Sequence, residues 1–360
     1  MNVRLGIAVT GLLFALAGCA ASRPAADRSV AVLDTRAGRE RPSTWLGLPL
    51  RSGQIVLSEA PGAYSFLFAL APERFFPFTH AAILVMEDGE PWVYDMSGRY
   101  KPGFGGSPAD GIVGGCRRQR LLEYAAPNLY LEIFDPPEGV DPDRVAAWVQ
   151  RAYADDVAFD PYWRYDEHEA LFCTEMVQLA LEAGGFPPIR LEPVRRNRSL
   201  QALLRWFGVD SEKGLPAGRY YDPQRYVGAM GRMRSRTEAW TYFAAKREIH
   251  RRFADDQVLG NIFRLQGRAD VALRPEIERF LERARALFAD RRLAPSEREI
   301  ERAVRALADR MFGPVSEPPR RAPGASPDSA THSSAATPAR LRSAGRSVRV
   351  PARDGRSSHR

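Results

Sequence analysis

The chain has 360 residues, 44% of them hydrophobic and 27% charged, which is enough to bury a sizeable core in one domain with an appendage. The formal net charge is +8, but nine arginines and three acidic residues from Gly313 onward supply six of these charges. The rest of the chain is nearly neutral, which argues against a folded nucleic-acid-binding surface, and we expect no nucleic-acid partner.

The N-terminus has the pattern of an export signal. Arg4 precedes an apolar run, 5–17, that is too short to span a bilayer as a helix. The run ends in Leu-Ala-Gly-Cys at 16–19, which resembles the bacterial lipobox. We therefore predict a lipoprotein signal peptide at 1–18 and lipidation of Cys19. The anchor of bacterial lipoproteins has more than one acyl chain, which is what stable membrane anchoring requires. Ordinary secretory cleavage, with Cys19 incidental, is the alternative.

The expected location is the cell envelope, with the lipid at Cys19 as the membrane contact. Ala20 follows the cysteine, which resembles the outer-membrane sorting pattern of Gram-negative lipoproteins. In such a cell the chain would face the periplasm from the outer membrane. Residues 19–45 are rich in Ala, Arg, Ser and Asp, and we predict a flexible tether there.

Residues 46–232 carry the alternation and helical periodicity of an α+β domain. The hairpin is the strongest signal, because Asp88-Gly89 lies between two apolar runs. The predicted strands are 54–60, 80–86, 91–97 and 128–134, and the predicted helices are 64–70, 141–153 and 173–183.

A C-terminal α-helical extension is predicted at 233–313. Apolar residues keep helical spacing there, and Ser296 with Glu299 forms a capping-box pattern. The expected structure is an amphipathic helical hairpin that packs on the domain or, alternatively, binds a protein partner. Residues 314–360 are rich in Pro, Ser, Ala and Arg and are predicted to be a disordered basic tail.

Two cysteines remain beside Cys19, and we expect both Cys116 and Cys173 to be free thiols, although an exported protein could pair them. Cys173 lies at the start of a predicted helix, where unpaired N–H groups and the helix dipole favour a thiolate. A buried thiol that only fills the core is the alternative.

His80 is the candidate base. It opens an almost wholly apolar strand, and the hairpin register pairs Ala82 with Asp95 and His80 with Ser97. His80 and Asp95 then lie on one face as diagonal neighbours, roughly 7–8 Å apart at the backbone. The carboxylate can orient and stabilise the imidazolium. We expect His168 and His250 to be surface histidines.

Together these segments resemble the permuted papain-like amidases of the YaeF/YiiX type, which are relatives of NlpC-type cell-wall hydrolases and of lecithin:retinol acyltransferase-like enzymes. The segments are FTHAAILV around His80, WVYDMSG around Asp95 and LFCTEMV around Cys173. In the permuted group the histidine strand precedes the cysteine helix, and this chain has that order. The similarity extends over about 48–227.

The resemblance implies a circularly permuted papain-like (NlpC-type) domain with an antiparallel sheet and a cysteine-bearing helix. The family's histidine motif, [ST]-H-x-[AG]-[IL], begins at Thr79, and the Asp-rich loop that precedes its cysteine motif falls on Phe159 and Asp160. Glu175 matches the cysteine motif and is expected to fix a loop or cap backbone groups. The chain departs from the family in two places: Asp95 replaces a usual Glu or His, and Phe172 replaces a usual Tyr.

The implied activity is acyl transfer by Cys173, His80 and Asp95, with no cofactor and no metal. A zinc site formed by these three residues is a weaker alternative, because the clustered Cys/His spacing of structural zinc sites is missing. The first hypothesis is an envelope cysteine hydrolase acting on an amide or ester, such as a peptidoglycan peptide. The second is an acyltransferase or thioesterase acting on lipid, and the third is a non-catalytic lipoprotein that acts as a binding module.

Overall fold

A computed structural model describes residues 30–35, 44–100, 112–206, 208–209, 211–253, 261–266, 270–291 and 293–315. The predicted signal peptide, Cys19 and nearly all of the predicted tail lie outside the described residues. The described residues up to Val315 form one compact unit. None of the helices in the described ranges is both long and apolar enough to cross a membrane.

Most of the strands join one large sheet, and the described residues contain eight α-helices. The strands are β1 Ala31–Thr35, β2 Gln54–Glu59, β3 His80–Glu87, β4 Glu90–Tyr100, β5 Ile112–Arg120, β6 Tyr130–Phe134, β7 Ala158–Phe159, β8 Ala170–Leu171, β9 Glu192–Pro193, β10 Lys213–Gly214, β11 Tyr226–Gly231, β12 Phe263–Gln266 and β13 Asp270–Leu273. The helices are α1 Ala63–Leu70, α2 Leu121–Ala125, α3 Pro142–Ala154, α4 Cys173–Ala183, α5 Arg198–Trp206, α6 Arg236–Phe253, α7 Pro275–Ala286 and α8 Glu297–Phe312.

The large sheet has nine strands in the order β1-β11-β6-β2-β3-β4-β5-β7-β8. All neighbours are antiparallel except β7 and β8, so the sheet is mixed rather than antiparallel throughout. The pairs β9–β10 and β12–β13 form two small separate sheets. The predicted α+β class is confirmed.

Both faces of the sheet are covered, because alternate residues of each strand enter different cores. Ile55 and Leu57 of β2 belong to the larger core, which also contains the apolar faces of α3, α4 and α6. Val56, between them, belongs to a smaller core with Leu121 and Tyr124 of α2. Helix α4 is therefore fixed against the centre of the sheet.

The hairpin of β3 and β4 has the predicted turn, and its ladder ends early. Asp88 and Gly89 have φ of 51° and 83°, the positive pair that a tight two-residue hairpin turn needs. The pairing runs from Glu87 with Glu90 to Ile83 with Tyr94. The predicted pairs Ala82–Asp95 and His80–Ser97 lie beyond its end, because β4 continues on β5 alone while α4 packs against both β3 and β4.

The predicted tether, 19–45, contains a strand and is corrected there. Strand β1 pairs antiparallel with β11 at the edge of the large sheet. Val30 and Val32 pack on the smaller core, and the Tyr226 hydroxyl donates to Asp34 at 3.2 Å. The alternation of these valines is short and is hard to recognise as a strand, because the residues around it are rich in Ala, Arg and Asp.

The C-terminal extension contains the two predicted amphipathic helices, α7 and α8, which pack against each other, and the predicted Ser296–Glu299 capping box begins α8. Helix α6 is followed by the small β12–β13 sheet, and α7 and α8 both pack against α6. Ile277, Phe280 and Val304 enter the same large core as α4. The extension therefore belongs to the same compact unit as 46–232.

A buried ion pair joins α6 to the strands beside His80. Lys246 Nζ lies 2.7 Å from Glu59 Oε1, and both side chains are fully buried. Lys246 also donates to Ser65 Oγ at 2.8 Å, and the Thr79 hydroxyl donates to the other Glu59 oxygen at 3.0 Å. This network fixes the residue that precedes His80.

We predict that Lys246→Met lowers the free energy of unfolding by about 3–5 kcal/mol, because Glu59 is left buried without its countercharge. Urea denaturation followed by circular dichroism measures the change. Lys213→Met, at an exposed lysine, is the matched control. A loss below about 1 kcal/mol for Lys246→Met would show that the pair does not hold α6 in place.

Candidate active site

Cys173 is the first residue of α4, and the local sequence explains why the helix begins there. Phe172 has an extended backbone, and its N–H donates to the Glu175 carboxylate at 3.3 Å. The Cys173 sulfur accepts hydrogen bonds from the N–H groups of Ala81 and Thr174. Cys173 is partly exposed as a residue.

His80, the first residue of β3, connects the sulfur to a carboxylate. Its Nε2 lies 3.2 Å from Asp95 Oδ2, and the ring also hydrogen-bonds to Cys173. Because Nε2 faces Asp95, Nδ1 is the nitrogen left to face the sulfur. The ring of Tyr124 stacks on His80 with centroids 6.3 Å apart.

The electrostatics favour a thiolate–imidazolium pair. Burial raises the pKa of the Cys173 thiol, but the charge and hydrogen bond of His80 and two backbone N–H groups bring it below the usual 9.0. Burial lowers the pKa of His80, but the charge of Cys173 and the contacts with Asp95 raise it from 6.5 to about 10. Each group holds the other in its charged form.

Asp95 is fully buried and binds two cationic groups through one oxygen. Oδ2 accepts from His80 and, at 2.7 Å, from Nη2 of Arg117. Oδ1 is buried and has no hydrogen-bond partner among the described residues. Burial raises the pKa of Asp95, but the hydrogen bonds and charges of His80 and Arg117 lower it below its usual value. The carboxylate behind the imidazole is therefore ionised.

Asp160 holds the loop that leads into α4. It is buried, its Oδ1 accepts from the Tyr162 N–H at 2.7 Å, and its Oδ2 accepts from the Arg164 N–H at 2.6 Å. Trp163, between these donors, has φ of 59°, which is a strained conformation for a bulky residue. Its ring centroid lies 5.4 Å from that of Phe68 in α1.

The other sequence-predicted residues lie around this centre. Thr79 bonds to Glu59 behind the strand, and the buried Glu175 caps the Phe172 N–H. Glu175 Oε1 lies 2.7 Å from Nδ1 of the half-exposed His168, and burial raises the pKa of Glu175 to about 7.

Arg117 and Tyr124 are site residues that the sequence alone does not predict, because β5 and α2 have no clear local signal. Strand β5 reads IVGGCRRQR, in which glycines and arginines interrupt the alternation. Its register pairs Asp95 with Arg117, which places the guanidinium beside the carboxylate. Arg117 could be recognised only from its pairing with Asp95 across β4 and β5. That pairing cannot be predicted without the order of the strands in the sheet.

Cys116 and Cys173 are both free thiols in this structure. Burial and the Asp95 charge raise the pKa of Cys116 to about 12, so this thiol stays protonated. Within the ranges that the structure describes, no group of three His, Cys, Asp or Glu side chains is placed to hold a metal ion.

Comparisons with known proteins give one weak structural similarity. No protein-family model matches the chain, and no curated protein matches it. The metalloprotein yiiX from Escherichia coli O157:H7 has a similar structure, with a TM-score of 0.38 and 16% identity over 48% of this chain and 93% of that chain. A similarity of this size assigns neither a family nor an activity.

We predict that iodoacetamide alkylates Cys173 at about pH 6 at least about tenfold faster than a free model thiol, because the lowered pKa retains thiolate as the pH falls. Peptide mass spectrometry identifies the alkylated residue. Cys116, with its raised pKa, is the internal control and should remain unmodified.

His80→Ala should move the alkylation of Cys173 to higher pH, because the thiolate loses its cationic partner. Equal rates for the parent chain, His80→Ala and the model thiol would contradict an activated cysteine.

Proposed function

We propose that this chain is a lipid-anchored cysteine hydrolase of the cell envelope, which cleaves an amide or related acyl bond. The observation that carries the proposal is the meeting of Cys173 and Asp95 on the two sides of the His80 ring. A buried core cysteine has no need of such partners. A nucleophile does need them, because a thiol attacks as the thiolate.

The first step of the proposed reaction forms an acyl-enzyme. The Cys173 thiolate attacks the carbonyl carbon, and a bond to Sγ forms as the bond to the leaving group breaks. The Nδ1 proton of His80 passes to the leaving group. His80 is then neutral, with its remaining proton on Nε2 donated to Asp95.

The developing oxyanion needs hydrogen-bond donors close to the sulfur. The backbone N–H of Cys173 is the candidate, because it is the first N–H of α4 and has no partner inside the helix. The dipole of α4 adds positive potential at the same end.

The second step releases the acyl group to water. Neutral His80 accepts a proton from water at Nδ1, and the water oxygen attacks the acyl carbon. The bond to Sγ breaks, and the thiolate–imidazolium pair is restored. Asp95 holds the His80 tautomer that leaves Nδ1 free to act as this base.

The order of the site residues in the chain supports a circularly permuted papain-like domain as part of this proposal. His80 and Asp95 come from the adjacent strands β3 and β4. Several further strands and helices lie between these strands and the helix of Cys173 along the chain. The envelope location depends on the lipobox-like residues that end at Cys19.

A lipid acyltransferase or thioesterase is the second candidate, and a set of exposed aromatic rings favours it. Tyr64 and Phe68 of α1 are each about two-fifths exposed, and Phe68 contacts Trp163 in the loop that leads to Cys173. Apolar surface of this kind, in contact with the loop that leads to Cys173, suits an acyl chain.

We predict that the purified chain releases products from only one of two substrates: peptidoglycan fragments, if it is the amidase, or phospholipid vesicles, if it acts on lipid. Cys173→Ala should abolish turnover, and Asp95→Asn should reduce kcat by about 100-fold or more, because His80 loses its orienting partner. Chromatography with mass spectrometry identifies the products.

Cys116→Ala is the matched control for loss of a thiol, and it should retain activity. Turnover that survives Cys173→Ala would disprove the proposed nucleophile. If neither substrate reacts and Cys173 also shows no enhanced alkylation, the non-catalytic lipoprotein is favoured.

A further inference from the structure

The guanidinium of Arg117 is a charged group in direct contact with Asp95 that the proposed reaction does not use. Its Nη2 lies 2.7 Å from Asp95 Oδ2, the same oxygen that binds His80. The Arg117 side chain is 46% exposed, whereas Asp95 is fully buried. The outer face of β5 thus brings a permanent positive charge to a carboxylate that solvent cannot reach.

The charges at the site alternate in the resting state. The Cys173 thiolate, the His80 imidazolium, the Asp95 carboxylate and the Arg117 guanidinium follow one another through direct contacts. The charge of Cys173 is the largest of the effects that raise the pKa of His80. Acylation removes this charge and also takes the Nδ1 proton, so Arg117 is then the only cation beside Asp95 among the described residues.

At that stage the His80–Asp95 pair must not take up a proton from solvent. A proton gained by the pair occupies Nδ1, either as imidazolium or because a protonated Asp95 donates to Nε2. Nδ1 then cannot accept a proton from water. A buried carboxylate with one unsatisfied oxygen readily takes up a proton unless a nearby positive charge opposes it.

We propose that Arg117 is a positioning residue for deacylation, whose fixed charge keeps Asp95 ionised and His80 Nδ1 free of a proton in the acyl-enzyme. This inference rests on the proposed function and deepens it. Arg117 is therefore expected to affect deacylation and not acylation. The resting ion pair of Cys173 and His80 does not need Arg117, whereas the activation of water does.

The titratable and charged groups around Asp95 come from four elements. They are His80 of β3, Cys116 and Arg117 of β5, Tyr124 of α2 and Cys173 of α4. Burial and, after it, the charge of Asp95 raise the pKa values of Cys116 and Tyr124, which therefore stay neutral and add no cation. Removal of Arg117 consequently leaves Asp95 without a countercharge when His80 is neutral.

The test uses p-nitrophenyl acetate as the acylating probe on the full chain. In the first step Sγ bonds to the acetyl carbon, and p-nitrophenol leaves with the Nδ1 proton. In the second step water adds to that carbon and gives one proton to Nδ1, the bond to Sγ breaks, and acetic acid leaves. Stopped-flow absorbance separates the burst from the steady state, and mass spectrometry measures acetylated Cys173.

In Arg117→Gln, we expect the acetyl-enzyme to accumulate, because its deacylation near pH 7 should be about 10- to 100-fold slower. The deacylation rate should recover as the pH rises, because the His80–Asp95 pair then loses its extra proton. The variant's rate of alkylation by iodoacetamide should stay within about threefold of that of the parent chain, because the resting thiolate is retained. Arg117→Lys should restore deacylation. Arg120→Gln is the matched control, because that guanidinium lies over Trp92 and not beside Asp95.

Equal slowing of acylation and deacylation, with no recovery at higher pH, would mean that Arg117 is only structural and would overturn this inference. Unchanged deacylation in Arg117→Gln would also overturn it and would leave the proposed function intact. If the parent chain forms no acetyl adduct on Cys173, the proposed function fails, and this inference fails with it.

Discussion

The site depends on one contact, between the first residue of a strand and the first residue of a much later helix. His80 opens β3 and Cys173 opens α4, and the sulfur accepts hydrogen bonds from the His80 ring and from the Ala81 N–H. The contact is possible because the β3–β4 ladder ends at Ile83 and Tyr94, where α4 packs against both strands. A ladder continued to His80 would have taken up the backbone groups that now face the sulfur.

The surrounding structure supports this contact from several directions. Behind the ring, the fully buried Asp95 holds Nε2 of His80 through a hydrogen bond of 3.2 Å. Beside the strand, the buried pair of Lys246 and Glu59 holds Thr79, so the C-terminal helix α6 contributes to the position of His80. Before the helix, Asp160 fixes the backbone of the strained loop. The helical extension therefore contributes, through Lys246 and Glu59, to the position of the strand that carries His80.

Local signals in the sequence are sufficient for the elements that carry the candidate site. The Asp88-Gly89 turn gave the register of the hairpin, and helical periodicity ending at two glycines gave α4 with Cys173 at its start. The elements that were missed lack a local signal: β1 is a short edge strand in polar sequence, and β5 is interrupted by glycines. Arg117 and the partner of Glu59 depend on pairings between distant segments, which no local pattern encodes.

The most direct test of the central claim is an NMR titration of the His80 ring in the intact chain, with Cys173→Ala as the comparison. The account predicts that His80 remains imidazolium well above neutral pH and loses its proton near pH 10, because the thiolate stabilises it. In Cys173→Ala the titration should move to clearly lower pH. Titration of His80 near its ordinary value of 6.5 in both proteins would contradict the ion pair on which the proposed enzyme is built.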